Sequence, residues 1–257
     1  MTKDTDSLNA FNGLSRALEK PFSTTFFQGL PLIFFDIALC FETPFLEDAK
    51  RRGGFPSWSW CGWDVADGVS YEDFEEKTLV FCKTFYHIQP GSRLDKNIIP
   101  ICAENIYGEF LYMKRFNTTI QLPTISNTIL DSMSNVEREN LLVFETLAAR
   151  LFVSTEDDGN GGYIVRTPSS STASTSSGSR PLWTIGLDPL WPISHGRDEP
   201  FDFIEVCRQY KVNSGGRLLV LLVEKDGRGI SQRVQMCAVS IEKWMEAKPA
   251  IETVYLL

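Results

Sequence analysis

The sequence predicts an α+β fold in which two N-terminal helices pack on a largely antiparallel, barrel-like β-sheet. Apolar side chains recur at helical spacing near the start of the chain, whereas from residue 55 onward short apolar segments alternate with turn residues. Residues 218–223 form a continuous apolar run, which is typical of a central strand. A chain of 257 residues with helices first and strands afterwards is expected to form one domain over 1–257, helical over 1–54 and mainly stranded over 55–257.

Two helices are expected in the first 41 residues. Asp6 or Ser7 is a suitable N-cap for the first helix, because its side-chain oxygen can accept from the free N–H groups of the first turn. Pro21 is expected to end that helix, since the residue before a proline avoids the helical conformation. The second helix is predicted from Pro31 to about Phe41, and its apolar character on most sides indicates burial. The inward stripe of the first helix consists of Leu8, Phe11, Leu14, Ser15 and Leu18.

The segment 55–63 holds three of the six tryptophans and is predicted to be a short strand at the centre of the fold. Trp58 and Trp60 alternate with small side chains, which is the period of two expected for a strand, and Pro56 and Gly62 bound the run. Its role is predicted to be structural, as part of the core beside the second helix. The residues of this motif are Phe55, Pro56, Ser57, Trp58, Ser59, Trp60, Gly62 and Trp63.

Further strands are predicted from alternating or continuous apolar patterns along the rest of the chain. The long one at 141–154 is expected to bend near Ala148 and Ala149, and the Ser/Thr-rich stretch 167–180 is expected to be a disordered surface loop. One helical turn is predicted at 241–247, around Trp244. The strands are predicted at 78–84, 110–116, 141–154, 163–166, 181–187, 201–210, 218–223, 233–239 and 251–257.

Composition and spacing exclude several classes of function. A net charge of −8 argues against a nucleic-acid partner, and the most apolar segment is too short and too interrupted to cross a membrane. No apolar run follows the N-terminal residues, so we expect an intracellular, cytoplasmic protein whose six cysteines are reduced. The cysteines show no C-x-x-C spacing, so neither a metal nor another cofactor is expected.

No set of residues predicts catalysis. The sequence lacks a G-x-S-x-G elbow, and its two histidines, His87 and His195, are expected to be structural or exposed. The acidic stretch 64–77 is predicted to be a solvated loop, and the glycines at 159–162 a turn without the Lys-Ser/Thr of a phosphate loop. We therefore expect no catalytic residue and no enzyme activity. The alternative is a small-ligand-binding or enzymatic β-rich domain that uses the aromatic face of Trp58 and Trp60.

Several stretches resemble fungal heterokaryon incompatibility (HET domain) proteins. Residues 55–63 resemble the "FPSWSWAGW" block that follows the HET domain in that family, with Cys61 in place of the usual Ala. Residues 6–14 resemble its "D-x-L-N-A-F-x-G-I" helix, and residues 27–39 its "F-x-G-L-P…F-D-x-A-L" segment. Arg233-Val234, followed by Trp244 and a final apolar strand, is similar to the closing pattern of the family.

The resemblance implies the region C-terminal to the HET domain. The blocks of the HET domain itself, "Y-x-A-L-S-Y-x-W-G" and "W-I-D-x-x-C-I-x-Q", are missing from this sequence. The implied role is therefore non-catalytic: support or regulation of self/non-self recognition and programmed cell death. The sequence does not give the recognition partner, and a HET domain in cis or in trans is one candidate.

Overall fold

A computed structural model gives the fold of most of the chain. It describes residues 6–43, 49–65, 68–71, 78–82, 85–88, 98–101, 111–115, 123–157, 162–168, 181–186, 199–211 and 215–257. Most of the predicted loop at 167–180, most of the acidic stretch at 64–77, and His195 lie outside the described residues.

Helices and strands are both present, and the fold class is α+β. The helices are α1 (Asp6–Phe22), α2 (Phe35–Leu39), α3 (Asn127–Asp131), α4 (Asn135–Glu139) and α5 (Ile241–Glu246), with short 3-10 helices at Leu32–Phe34 and Trp60–Gly62. The strands are β1 (Phe26–Phe27), β2 (Leu30–Pro31), β3 (Phe41–Glu42), β4 (Lys50–Arg51), β5 (Trp63–Asp64), β6 (Ser70–Tyr71), β7 (Thr78–Cys82), β8 (Phe85–Ile88), β9 (Ile98–Ile101), β10 (Leu111–Arg115), β11 (Leu142–Asp157), β12 (Tyr163–Arg166), β13 (Trp183–Ile185), β14 (Phe201–Lys211), β15 (Gly215–Lys225), β16 (Ser231–Ser240) and β17 (Ala250–Leu256).

One large sheet contains most of these strands. Its order is β10-β7-β14-β15-β16-β17-β11-β12-β13, and β8 joins β9 to β11. Strand β14 also pairs with β11, so the pairings β11–β14–β15–β16–β17–β11 form a closed circuit. Among the described strands of this sheet, β7–β10 and β16–β17 pair in parallel and the other pairs are antiparallel.

The predicted apolar strand at 218–223 lies within β15, between β14 and β16. Because successive side chains of a strand point to opposite faces, β15 contributes to two core clusters. Leu219 and Leu221 belong to the first core cluster, which also contains Phe35 of α2 and Trp58. Leu218 and Leu222 belong to the second core cluster, which contains Trp183 and Trp244.

Strand β11 changes partners along its length, where a bend was predicted. It pairs with β17 from Leu142 to Ala148 and with β14 from Ala148 to Leu151. Beyond that point it pairs with β12 in antiparallel orientation. Leu142, Phe144 and Ala148 of β11 belong to the first core cluster, whereas Ala149, Leu151 and Val153 belong to the second.

The second helix was predicted from Pro31 to about Phe41, but α2 spans only Phe35–Leu39, and Phe41 lies in β3. Pro31 pairs with Phe26 in a two-stranded hairpin, and α-helical geometry begins only at Phe35. The hairpin turn places Gln28 and Gly29 at φ +48° and +81°, a left-handed conformation that glycine adopts without strain. Leu30 and Pro31 pair with β1 in the hairpin, so they are not available for the helix, and α2 begins only after them.

Helix α1 extends through Pro21, so that proline does not end it. Two apolar residues of α1 remain largely in water: the exposed fraction is 54% for Leu14 and 51% for Phe22. Phe11 instead lies in ring contact with Phe26 and with Trp60, at centroid distances of 5.8 and 5.2 Å. The predicted apolar stripe is therefore only partly covered.

Candidate functional site

The tryptophan motif at 55–63 is not a strand, contrary to the prediction. Residues 57–59 form a turn, Trp60–Gly62 a 3-10 helix, and only Trp63–Asp64 is extended, paired with β4. We refer to residues 55–63, together with the groups that hydrogen-bond to them, as the tryptophan junction.

Serine hydroxyls explain why the motif turns. The Ser59 hydroxyl accepts a hydrogen bond from the Cys61 N–H (3.1 Å) and donates one to the Gln28 carbonyl (2.6 Å). A serine that caps its own backbone in this way competes with strand pairing. The Ser57 hydroxyl accepts from the Arg233 N–H at 2.8 Å and donates to the Leu257 carbonyl. The small side chains of the motif therefore hold distant segments together.

Each of the three indole N–H groups donates to a backbone carbonyl. Trp58 donates to Asn140 (3.0 Å), Trp60 to Gly29 (3.1 Å) and Trp63 to Ser57 (2.7 Å). These bonds remove the cost of burying the indole nitrogens.

Trp58 lies at the centre of this arrangement and is fully buried. Its ring stacks on Phe27 at a centroid distance of 5.5 Å and meets the edge of Phe35 at 5.9 Å. Trp60 is half-buried against Phe11. Because Trp58 has no exposed surface, the two rings do not form the open aromatic face that the ligand-binding alternative requires.

Gly62 is required by close packing. A Cβ atom at this position would overlap the Pro56 carbonyl oxygen and the Arg51 guanidinium. Arg51 donates to the carbonyls of Gly62 (2.5 Å) and Phe55 (3.1 Å) and lies over the Trp63 ring. Only a residue without a side chain allows this approach.

Arg233 is the one buried cation at the junction among the described residues. It is 3% exposed and donates to the carbonyls of Leu39 and Phe41, while its guanidinium carbon lies 3.6 Å from the centroid of the Phe41 ring. Burial lowers its pKa to about 9. Planar geometry suits an arginine to two carbonyls and one ring at once.

Asn140 belongs to the junction, although the sequence analysis did not identify it. Its carbonyl receives the Trp58 N–H, and its side-chain oxygen accepts from the Gln28 amide at 2.6 Å. Asn140 follows α4, whose capping box joins Ser134 and Glu137. The Ser-x-x-Glu spacing at 134–137 is the sequence signal that could have predicted this helix.

The Cys61 thiol lies within the junction and is buried. Burial raises the pKa of the Cys61 thiol to about 11, so this thiol is neutral and a poor nucleophile at neutral pH. The ring of His87 packs on Phe27 at a centroid distance of 4.6 Å. Within the described part of the chain, no three His, Cys, Asp or Glu residues are grouped so that they could hold a metal ion.

A cavity of about 200 Å³ lies beside the junction, between α1 and the β1–β2 hairpin. Its lining mixes apolar and polar side chains from Leu8, Phe11, Arg16, Glu19, Phe26 and Gln28.

In the described residues, no helix is both long enough and apolar enough to cross a bilayer.

Comparisons of the chain with protein-family models, with curated proteins and with solved structures found no match.

Proposed function

We propose that this chain is the region C-terminal to the HET domain of a fungal heterokaryon incompatibility protein. In this proposal it supports or regulates self/non-self recognition and programmed cell death, and it catalyses no reaction. Its two N-terminal helices, packed on a barrel-like sheet, form the body that carries this role in the cytoplasm.

The observation that carries the proposal is the convergence of the separate sequence blocks that resemble the family. Phe11, from the block at 6–14, contacts Trp60, from the block at 55–63. The carbonyl of Gly29, from the block at 27–39, accepts the Trp60 N–H. The block at 27–39 also supplies Phe35, which packs on Trp58. Blocks that are far apart in sequence therefore build one structural unit.

The C-terminal part of the resemblance meets the same unit. Arg233 donates its backbone N–H to Ser57 and its guanidinium to the Leu39 carbonyl. A signature made of such contacts encodes packing and hydrogen bonding, and its one thiol, Cys61, is buried. This arrangement favours a supporting or interacting role over catalysis.

The test is expression in a fungal host that tolerates the chain, with and without a HET-domain protein, with growth arrest as the readout. Gly62→Ala disrupts the junction, and Gly53→Ala is the matched control because nothing lies within 4 Å of a Cβ at that position. We expect the wild-type chain and Gly53→Ala to change the growth arrest caused by the HET domain, and Gly62→Ala not to.

Growth arrest that is the same with and without the wild-type chain, at verified protein levels, would contradict the proposal. A fluorescent fusion of the wild-type chain tests the cytoplasmic location in the same strains, and accumulation in a membrane compartment would contradict that part.

A further inference from the structure

Two cysteines far apart in sequence meet in the first core cluster. The sulfur atoms of Cys40 and Cys207 are 4.0 Å apart, although 167 residues separate them in the chain. Their exposed fractions are 1% and 0%. Cys40 directly follows α2, and Cys207 lies in β14, so the pair joins the N-terminal segment to the large sheet.

A β-bulge directs Cys207 toward Cys40. Strand β14 shifts register against β15 between Glu205 and Cys207. Strict alternation along a strand would place Cys207 on the face opposite to Ile204, yet both residues belong to the first core cluster. A bulge inserts one extra residue and so re-aims the side chains that follow it. The proximity of the two thiols therefore depends on a specific local irregularity.

We propose that Cys40 and Cys207 form a reversible disulfide that fastens α2 to β14. The two sulfur atoms must approach by about 2 Å to reach the bond length of a disulfide. The co-reactant is a small-molecule disulfide. One protein thiolate attacks it and releases a thiol, and the second protein thiolate then displaces the other thiol from the mixed disulfide. Two protein thiols are oxidised, and one small disulfide is reduced to two thiols that take up the protons.

Burial determines how the reaction proceeds. In the resting fold the Cys40 thiol donates to the Asp36 carbonyl at 3.1 Å and has almost no contact with solvent. A small disulfide reaches the pair when α2 separates briefly from β14, so conditions that promote local opening accelerate oxidation. Once formed, the bond opposes that opening and keeps the N-terminal side of the tryptophan junction in place.

The experiment uses the full chain, reduced and then equilibrated in glutathione buffers of increasing oxidised fraction. Samples are quenched with acid, and disulfide-linked peptides are mapped by mass spectrometry without reduction. We expect a peptide pair joining Cys40 to Cys207 as the main product, removed by dithiothreitol and formed faster in sub-denaturing urea. We also expect a higher unfolding temperature for the oxidised protein.

Cys40→Ala should lose both the linked peptide and the rise in unfolding temperature. Cys237→Ala is the matched control, because it removes another buried thiol from the second core cluster, and it should keep both. The map of the wild-type chain decides the question even if a variant does not fold. A different cysteine pair as the main product, or Cys40 and Cys207 both still reduced in sub-denaturing urea, would overturn the proposal.

Discussion

Replacing Trp58 tests how much of the fold depends on the tryptophan junction. The side chain is fully buried, packs on Phe27 and Phe35, and donates to the Asn140 carbonyl. Truncating a buried Trp to Ala costs about 3–5 kcal/mol, and leaving a buried carbonyl without its donor adds about 1 kcal/mol. We therefore expect Trp58→Ala to lower the free energy of unfolding by about 4–6 kcal/mol.

A loss of this size is comparable to the whole stability of many domains, so the milder variant Trp58→Phe belongs in the same series. It keeps an aromatic ring and removes the N–H donor, with an expected cost of about 1–3 kcal/mol. Trp60→Phe is the control, because that ring is only half-buried.

The assay for this series is urea unfolding followed by circular dichroism, with the midpoint and slope fitted separately. A loss below about 1 kcal/mol for Trp58→Ala would refute the reasoning, since it would fall well short of the cavity cost expected for a buried Trp. Equal losses for Trp58→Phe and Trp60→Phe would show that full burial of Trp58 does not matter.

Three further outcomes are expected. Gly62→Ala should lower the free energy of unfolding in urea by about 2–3 kcal/mol, because the added methyl group overlaps the Pro56 carbonyl. Gly53→Ala should be neutral or slightly stabilising, and equal effects of the two variants would contradict the packing argument. Arg233→Lys should cost about 2–4 kcal/mol, since lysine lacks the planar guanidinium that lies flat on the Phe41 ring while its two ends reach two carbonyls. Exposed Arg150→Lys should change stability by less than about 0.5 kcal/mol, and a similar loss at both positions would disprove this role of Arg233. The hydrogen bond from the Ser134 N–H, followed by that from Arg228, holds the pKa of Glu137 below its usual 4.5. The stability contributed by the ionised Glu137 is therefore present above pH 4.5 and is lost as the pH falls through the lower pKa of the folded state. As the pH is lowered, the urea midpoint should fall less steeply for Glu137→Gln than for the wild-type chain, and parallel curves would count against this role of Glu137.

The C-terminal half of the fold follows closely from its sequence pattern. The predicted strands at 201–210, 218–223 and 233–239 correspond to β14, β15 and β16, and the turn around Trp244 is α5. These segments carry long apolar runs bounded by turn residues, so local pattern and tertiary pairing agree. A local pattern cannot show which strands pair, and the pairing of β14 with β11 was not predicted.

The tryptophan motif shows where pattern reasoning fails. Alternation of large and small residues suggested a strand, but the small residues are serines whose hydroxyls bond to backbone groups 31 and 200 residues away. Such long-range bonds leave no periodic trace in the sequence. The same holds for the buried cation: Arg233 was noted only for a resemblance, and its contacts with Leu39 and Phe41 required the fold.

The order in which the protein is synthesised bears on how the tryptophan junction can form. The Trp58 N–H bonds to the Asn140 carbonyl, 82 residues later in the chain. The Ser57 hydroxyl bonds to Arg233 and Leu257, 176 and 200 residues later. While the ribosome is still extending the chain, Trp58 and Ser57 therefore lack these hydrogen-bond partners, although Phe27 and Phe35, which pack on Trp58, have already been made. Nascent chains are therefore expected to expose apolar surface until β17 has been synthesised, and to need chaperone protection for most of that time.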